Sequence, residues 1–140
     1  MAAGTTVPSI PAATSWAARA EGICTVYHSL LETVSQPTTA DDVPRLLHRK
    51  VDLTRSAARQ FRATRPPPPR RQAARQLAAA LDRRAIALEQ LAVAEGEHDD
   101  RAAQISIQAG LRSDAAARRW SDVLGLVTCG RKLFESDSPE

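Results

Sequence analysis

At 140 residues, with 43% hydrophobic and 25% charged residues, the chain has the size and composition of one ordinary globular domain, which excludes disordered and fibrous classes. A formal net charge of +3 and a pI near 9.4 place it on the basic side, and the lack of any apolar run of about 18 residues excludes an encoded membrane-spanning helix. With only 4% aromatic residues and abundant alanine, the composition favours closely packed helices over sheets, because alanine has the best helix propensity while strands favour β-branched and aromatic residues.

Residues 1–14 read as a flexible leader rich in Ala, Thr, Pro and Ser. They lack a charged start followed by an apolar stretch, so they are not an intact signal peptide. Such a leader suits a cytosolic N-terminus, and equally the stretch that follows a removed signal or anchor. The first helix is expected over residues 15–34, capped by Ser15, with Trp16, Ile23, Tyr27, Leu30, Leu31 and Val34 on one broad side. Ser35-Gln36-Pro37 ends it, since the residue before proline avoids helical dihedrals.

The second helix is expected over residues 40–63, with Thr39 as N-cap and Asp41 and Asp42 complementing the dipole of the first turn. Val43, Leu46, Leu47, Val51, Thr54, Ala58 and Phe61 recur at helical spacing. Pro66 to Pro69 cannot continue a helix and predict a stiff extended connector. The third helix follows over residues 70–95, with a seam of Leu77, Leu81, Ala85, Leu88, Leu91 and Ala92, and stops at Gly96-Glu97-His98. The fourth is expected over residues 99–127, burying Ala102, Ile105, Ala109, Ala116, Trp120, Val123, Leu124 and Val127. Gly110 is its weak point, and Ser113-Asp114 is placed to re-cap a second half beyond a kink. A polar tail, residues 136–140, closes the chain.

Short links between four helices predict an all-α, antiparallel up-down four-helix bundle over residues 15–135. A three-helix domain with an irregular first segment is the alternative. In the bundle, helix four ends where helix one begins, which brings Cys24 and Cys129 to one end of the molecule. The pair is then either a disulfide or two separate buried thiols, because free cysteine behaves as a small apolar residue.

The segment Trp16-Ala17-Ala18-Arg19-Ala20-Glu21-Gly22-Ile23-Cys24, the proline break between Arg65 and Pro69, and Gly125-Leu126-Val127-Thr128-Cys129-Gly130 carry a resemblance across most of the chain. Together they resemble a broad group of small actinobacterial secreted proteins and lipoproteins. Those helical bundles have an "Ala…Ile-Cys" first helix and a terminal "Gly-Leu-x-x-Cys-Gly" segment. The resemblance implies export to the envelope or beyond and a Cys24–Cys129 disulfide, and it implies no reaction. The chain departs from lipoproteins at Ile23, where a lipid-attachment site needs a small residue before the cysteine.

Charge is concentrated between Asp41 and Arg75, where ten basic residues face three aspartates, ten minus three giving +7. Arg55, Arg59, Arg62, Arg65, Arg70, Arg71 and Arg75 form a candidate anion-binding face, since the planar guanidinium suits phosphate. Its bland reading is a solvated arginine face. Phe61 alone interleaves the arginines, and it belongs to the core stripe, so the usual mixture of basic and aromatic residues for nucleic acid is thin.

Metal chemistry has weaker support. Glu95-Gly96-Glu97-His98 holds a single Glu-x-x-His, whereas di-iron bundles need that spacing on two helices; it reads as a solvated turn. His28 and Glu32, four residues apart, could join His48 in a small metal site, or all three are surface and boundary side chains. No nucleophile set, phosphate loop or inward carboxylate cluster is legible, so no catalytic, cofactor-binding or metal residue is assigned.

The expected function is therefore an extracytoplasmic, non-enzymatic bundle with a binding or structural role at the cell envelope, its partner an unidentified protein or envelope component. The alternative is a cytosolic nucleic-acid-binding or regulatory protein that uses the arginine face.

Overall fold

The structure, a computed structural model, describes residues 12–134 and the side chains of residues 16–134. Most of the expected leader and the 136–140 tail lie outside the described residues. Four helices follow one another, α1 (Ala12–Glu32), α2 (Asp42–Ala63), α3 (Arg71–Gly96) and α4 (Asp100–Leu124), with 3-10 turns at Pro68–Arg70 and Thr128–Gly130. The described chain is the expected all-α up-down bundle, and no described residue is in a strand.

The helix ends follow local chemistry, with corrections to the expected caps. Ser15 lies inside α1 and does not cap it; Ala12 and Ala13, strong helix formers, carry the helix further back. Thr39 is not the cap of α2, which starts at Asp42. There the Asp42 carboxylate accepts a 2.8 Å hydrogen bond from the Thr38 hydroxyl, so the aspartate ties down the loop before it. The proline connector is extended only in part. Pro67 keeps extended dihedrals, but Pro68 and Pro69 open a 3-10 turn, their fixed φ being pre-set for a helix start.

Both α3 and α4 stop in the same way. His98, at φ 55°, donates to Glu95 O while Asp99 N reaches Ala94 O at 2.9 Å. Gly125, at φ 74°, donates to Asp122 O while Leu126 N reaches Ser121 O at 2.9 Å. These are Schellman motifs, which satisfy carbonyls a helix end would otherwise leave open. Asp99 then caps α4 by accepting from Ala102 N at 3.0 Å.

The α2 and α3 stripes are buried much as expected: Leu46, Val51, Thr54, Ala58 and Phe61 on one, Leu77, Leu81, Ala85, Leu88 and Ala92 on the other. In α1, Trp16, Tyr27 and Leu31 are joined inside by Ala20, Cys24 and His28, whereas Leu30 is 42% exposed.

On α4 Leu124 is buried as expected and Ala116 and Trp120 pack partly buried against the core, but the rest of the expected side is off by about one residue of phase. Ile105, Val123 and Val127 are exposed at 59%, 62% and 81%. The inner face is instead Ala103, Ser106, Gly110, Ser113, Asp114, Ala117, Ser121 and Leu124. Small side chains on this face, set against Ala73, Ala80, Ala87 and Ala94 of α3, let the two backbones pack along their length. Two of the buried hydroxyls are satisfied within the helix, Ser106 to Ala102 O and Ser113 to Gly110 O. The helix runs unbroken through Gly110, so Ser113-Asp114 does not re-cap it.

α1 packs against α2 and the Thr128–Gly130 turn, while α3 lies along both α2 and α4. The seam on the remaining side is filled by residues 126–134, which turn back from the end of α4 as a strap. Leu126 and Cys129 join the core around Trp16 and Leu77. Leu133 packs with Tyr27, Leu31 and Leu81, and further along with Val51 and Leu88 beside Phe134. A Cβ on Gly110 would overlap the ring of Phe134, so the missing side chain is the seat for the end of the strap.

Candidate functional site

Three fastenings hold the strap. Cys24 and Cys129 form a disulfide across a Cα–Cα distance of 5.0 Å and 105 residues of sequence, joining the first helix to the segment beyond the last. One turn of α1 earlier, the Glu21 carboxylate accepts from Val127 N at 3.0 Å and Thr128 N at 2.8 Å, and from the Thr128 hydroxyl. Burial pulls the Glu21 pKa upwards, but these hydrogen bonds outweigh it and hold the carboxyl below its ordinary value.

The third fastening is a buried polar network. Arg84, fully buried on α3, pairs with Asp114 of α4 at 3.0 Å. Arg84 also donates to Arg131 O at 3.2 Å, and the second Asp114 oxygen accepts from Leu133 N at 3.0 Å and Phe134 N at 2.7 Å. A longer 3.5 Å contact reaches the Tyr27 hydroxyl, itself 2.7 Å from Thr54 Oγ1. All four helices and the strap therefore meet in one hydrogen-bonded set. A buried ion pair is tolerable only when its remaining donors and acceptors are satisfied in this way.

The seven arginines of the candidate anion-binding face do not act as one surface. Arg55 pairs with Glu89 at 2.7 Å and Arg62 pairs with Asp82. Arg59 is exposed about one turn before the end of α2, and Arg70 belongs to the 3-10 turn before α3. Arg65, Arg71 and Arg75 converge, with Arg62, around a cleft of about 690 Å³ between the end of α2, the proline connector and the start of α3. Among the described residues, none of these three has a carboxylate partner.

The cleft's floor is apolar, formed by Phe61, Ala74 and Ala78. Its wall is fixed from α1, where Trp16 Nε1 donates to Thr64 Oγ1 at 3.0 Å and the indole meets Phe61 edge-on at 6.0 Å. Local electrostatics reinforce the arginines. The first turn of α3 holds no acidic residue, and its N-cap provides no side-chain hydrogen bond, so the positive end of the helix dipole adds to the guanidinium charge. The arrangement is able to hold an anion, with an apolar surface beneath it.

The metal candidates do not assemble into one site. His28 is 6% exposed, its ring tilted against that of Tyr27 at 4.8 Å, and it shares a cleft lining with the exposed Glu32, whereas His48 is exposed and does not line that cleft. Glu95 and His98 belong to the stop of α3. Among the described residues, no three of His, Cys, Asp and Glu gather where they could hold a metal ion, and no helix is long and apolar enough to cross a membrane.

The sequence reading missed Arg84 and Asp114. A charge at Arg84 within the alanine-rich run of α3 was the available signal, but its partner lies 30 residues away. Compared with protein-family models, curated proteins and solved structures, the chain matches none.

Proposed function

We propose that the chain is an extracytoplasmic, non-enzymatic helical bundle that binds a phosphate-bearing component of the cell envelope through its arginine cleft. The observation that carries this reading is the convergence of Arg65, Arg71 and Arg75, without carboxylate partners, on a cleft walled by a stiff proline connector. Guanidinium–phosphate hydrogen bonds are charge-assisted and directional, and a rigid wall reduces the ordering needed on binding. The Cys24–Cys129 bond supports the location, since disulfides persist in oxidising compartments and are rare in the cytosol. The resemblance to actinobacterial secreted proteins points the same way.

Nucleic acid would be drawn by the same charge. Single strands, however, bind best where aromatic faces are open for stacking, and Phe61 and Trp16, the rings at this cleft, are 2% and 0% exposed.

The test is flotation with vesicles of phosphatidylglycerol or of phosphatidylcholine. Binding to the anionic vesicles alone, lost in R65Q/R71Q/R75Q, is the expected result. Equal retention by that variant would contradict the cleft assignment. Binding to oligonucleotides but not to anionic vesicles would favour the cytosolic alternative.

A further inference from the structure

A second cleft, of about 820 Å³, opens in the seam that the strap fills, away from the residues of the arginine cleft. Its charged and polar lining comes from five segments: His28 and Glu32 of α1, Gln36 of the loop after it, Lys50 of α2, Arg118 of α4, and Arg131 and Lys132 of the strap. Four cationic side chains thus surround one carboxylate. The other nearby acid, Asp114, is engaged by Arg84 and by the N–H groups of Leu133 and Phe134. Among the described residues, Lys50, Arg118 and Arg131 have no carboxylate partner.

The backbone that carries these charges is held in place. The strap is fixed on both sides of Arg131, by the disulfide at Cys129 and by Asp114 at Leu133. Arg118 lies directly beneath it, its Cα only 3.4 Å from where a Cβ on Gly130 would stand. The fold therefore roots Lys50, Arg118 and Arg131 around one cleft, where an anion would relieve their mutual repulsion. His28, in the same lining, is 6% exposed, and its Nε2 has no hydrogen-bond partner. Burial first, then the charges of Arg84 and Arg131, depress its pKa to about 4, so the imidazole is neutral at pH 7.

We infer that this seam cleft binds a small phosphate-class oxyanion, held by Lys50, Arg118 and Arg131 with His28 in its lining. A tetrahedral dianion matches donors arriving from three elements, because it offers acceptors in several directions and enough charge to balance them. The inference does not depend on the arginine cleft, which shares none of these residues.

The experiment is an NMR titration of the His28 ring with inorganic phosphate, and separately with glycerol phosphate, at constant ionic strength set by chloride. A saturable one-to-one shift is expected, with the affinity falling at least about tenfold, equivalent to ~1.4 kcal/mol, in K50Q/R118Q. Tighter binding of one titrant identifies the source as free phosphate or a phosphomonoester. The shift should survive in R65Q/R71Q/R75Q. A flat response to both titrants, full retention in K50Q/R118Q, or loss in R65Q/R71Q/R75Q would overturn the inference. Arg118 is exposed and Lys50 half-buried, and unchanged melting of K50Q/R118Q would show that any lost affinity is not a folding defect.

Discussion

Arg84 and Asp114 stand 3.0 Å apart with side-chain exposures of 0% and 4%, an ion pair wholly inside the bundle. The pair also anchors the strap, since Asp114 serves two backbone N–H groups that no helix satisfies. Removing one charge strands the other. Asp114→Ala or Arg84→Ala is therefore expected to lower unfolding free energy by roughly 3–5 kcal/mol in denaturant titrations. The R84M/D114L double variant should recover part of that loss, because no buried charge remains. A loss below about 1 kcal/mol for either single variant would mean that the pair is solvated.

Gly110 and Phe134 give a second prediction of unusual sign. Gly→Ala inside a helix ordinarily stabilises by about 0.5–1 kcal/mol. Here the new methyl group meets the Phe134 ring, and overpacking typically costs about 1–3 kcal/mol. G110A should therefore destabilise, whereas adding F134A should make the same glycine substitution favourable. Thermal melts of the four proteins in this cycle decide it, and additivity would sink the seating of Phe134.

His28 sets a pH dependence. Its folded-state pKa is depressed from 6.5 to about 4, so below pH 6.5 the unfolded chain takes up a proton that the folded chain refuses. Stability must then fall as pH drops from about 6.5 to about 4, with a slope of at most ~1.36 kcal/mol per pH unit. In H28Q the difference in melting temperature between pH 7 and pH 5 should shrink. An unchanged difference would assign the acid sensitivity elsewhere.

Glu21 acts in a lower window. A carboxyl held below its ordinary value of 4.5 contributes stability that is present above that value and lost as pH falls through the lowered one. E21Q should weaken the attachment of Val127 and Thr128 at neutral pH, and hydrogen exchange at these two amides should accelerate. Unchanged exchange would mean that the disulfide alone holds the turn.

The two cysteines dominate the stability account. A cross-link spanning about 100 residues is worth roughly 4.7 kcal/mol in the loop-entropy model, against a typical total of about 5–15 kcal/mol. C24S and C129S should each melt far below the parent under oxidising conditions and match it once the parent is reduced. Equal melting without reductant would remove the staple from the account.

The helices themselves were legible because α2 and α3 carry large apolar residues at helical spacing, Leu46 to Phe61 and Leu77 to Leu88. α4 was misread for a related reason. Hydrophobicity picks out Ile105 and Val123, but a close helix interface selects for small size, and Ser106, Gly110 and Ala117 win the inner face. The arginine run was visible as charge, yet spacing could not tell that Glu89 and Asp82 occupy Arg55 and Arg62 and leave Arg65, Arg71 and Arg75 around a cleft. The strap carried no periodic signal. Its path depends on Asp114, Gly110 and Cys24, all distant in sequence.

The measurement that tests the account most directly is peptide mapping by mass of unreduced protein from its native source. A Cys24–Cys129 cross-linked peptide is the predicted result, fixing the strap and agreeing with an oxidising compartment. Two free thiols in that material would contradict both the staple and the extracytoplasmic reading.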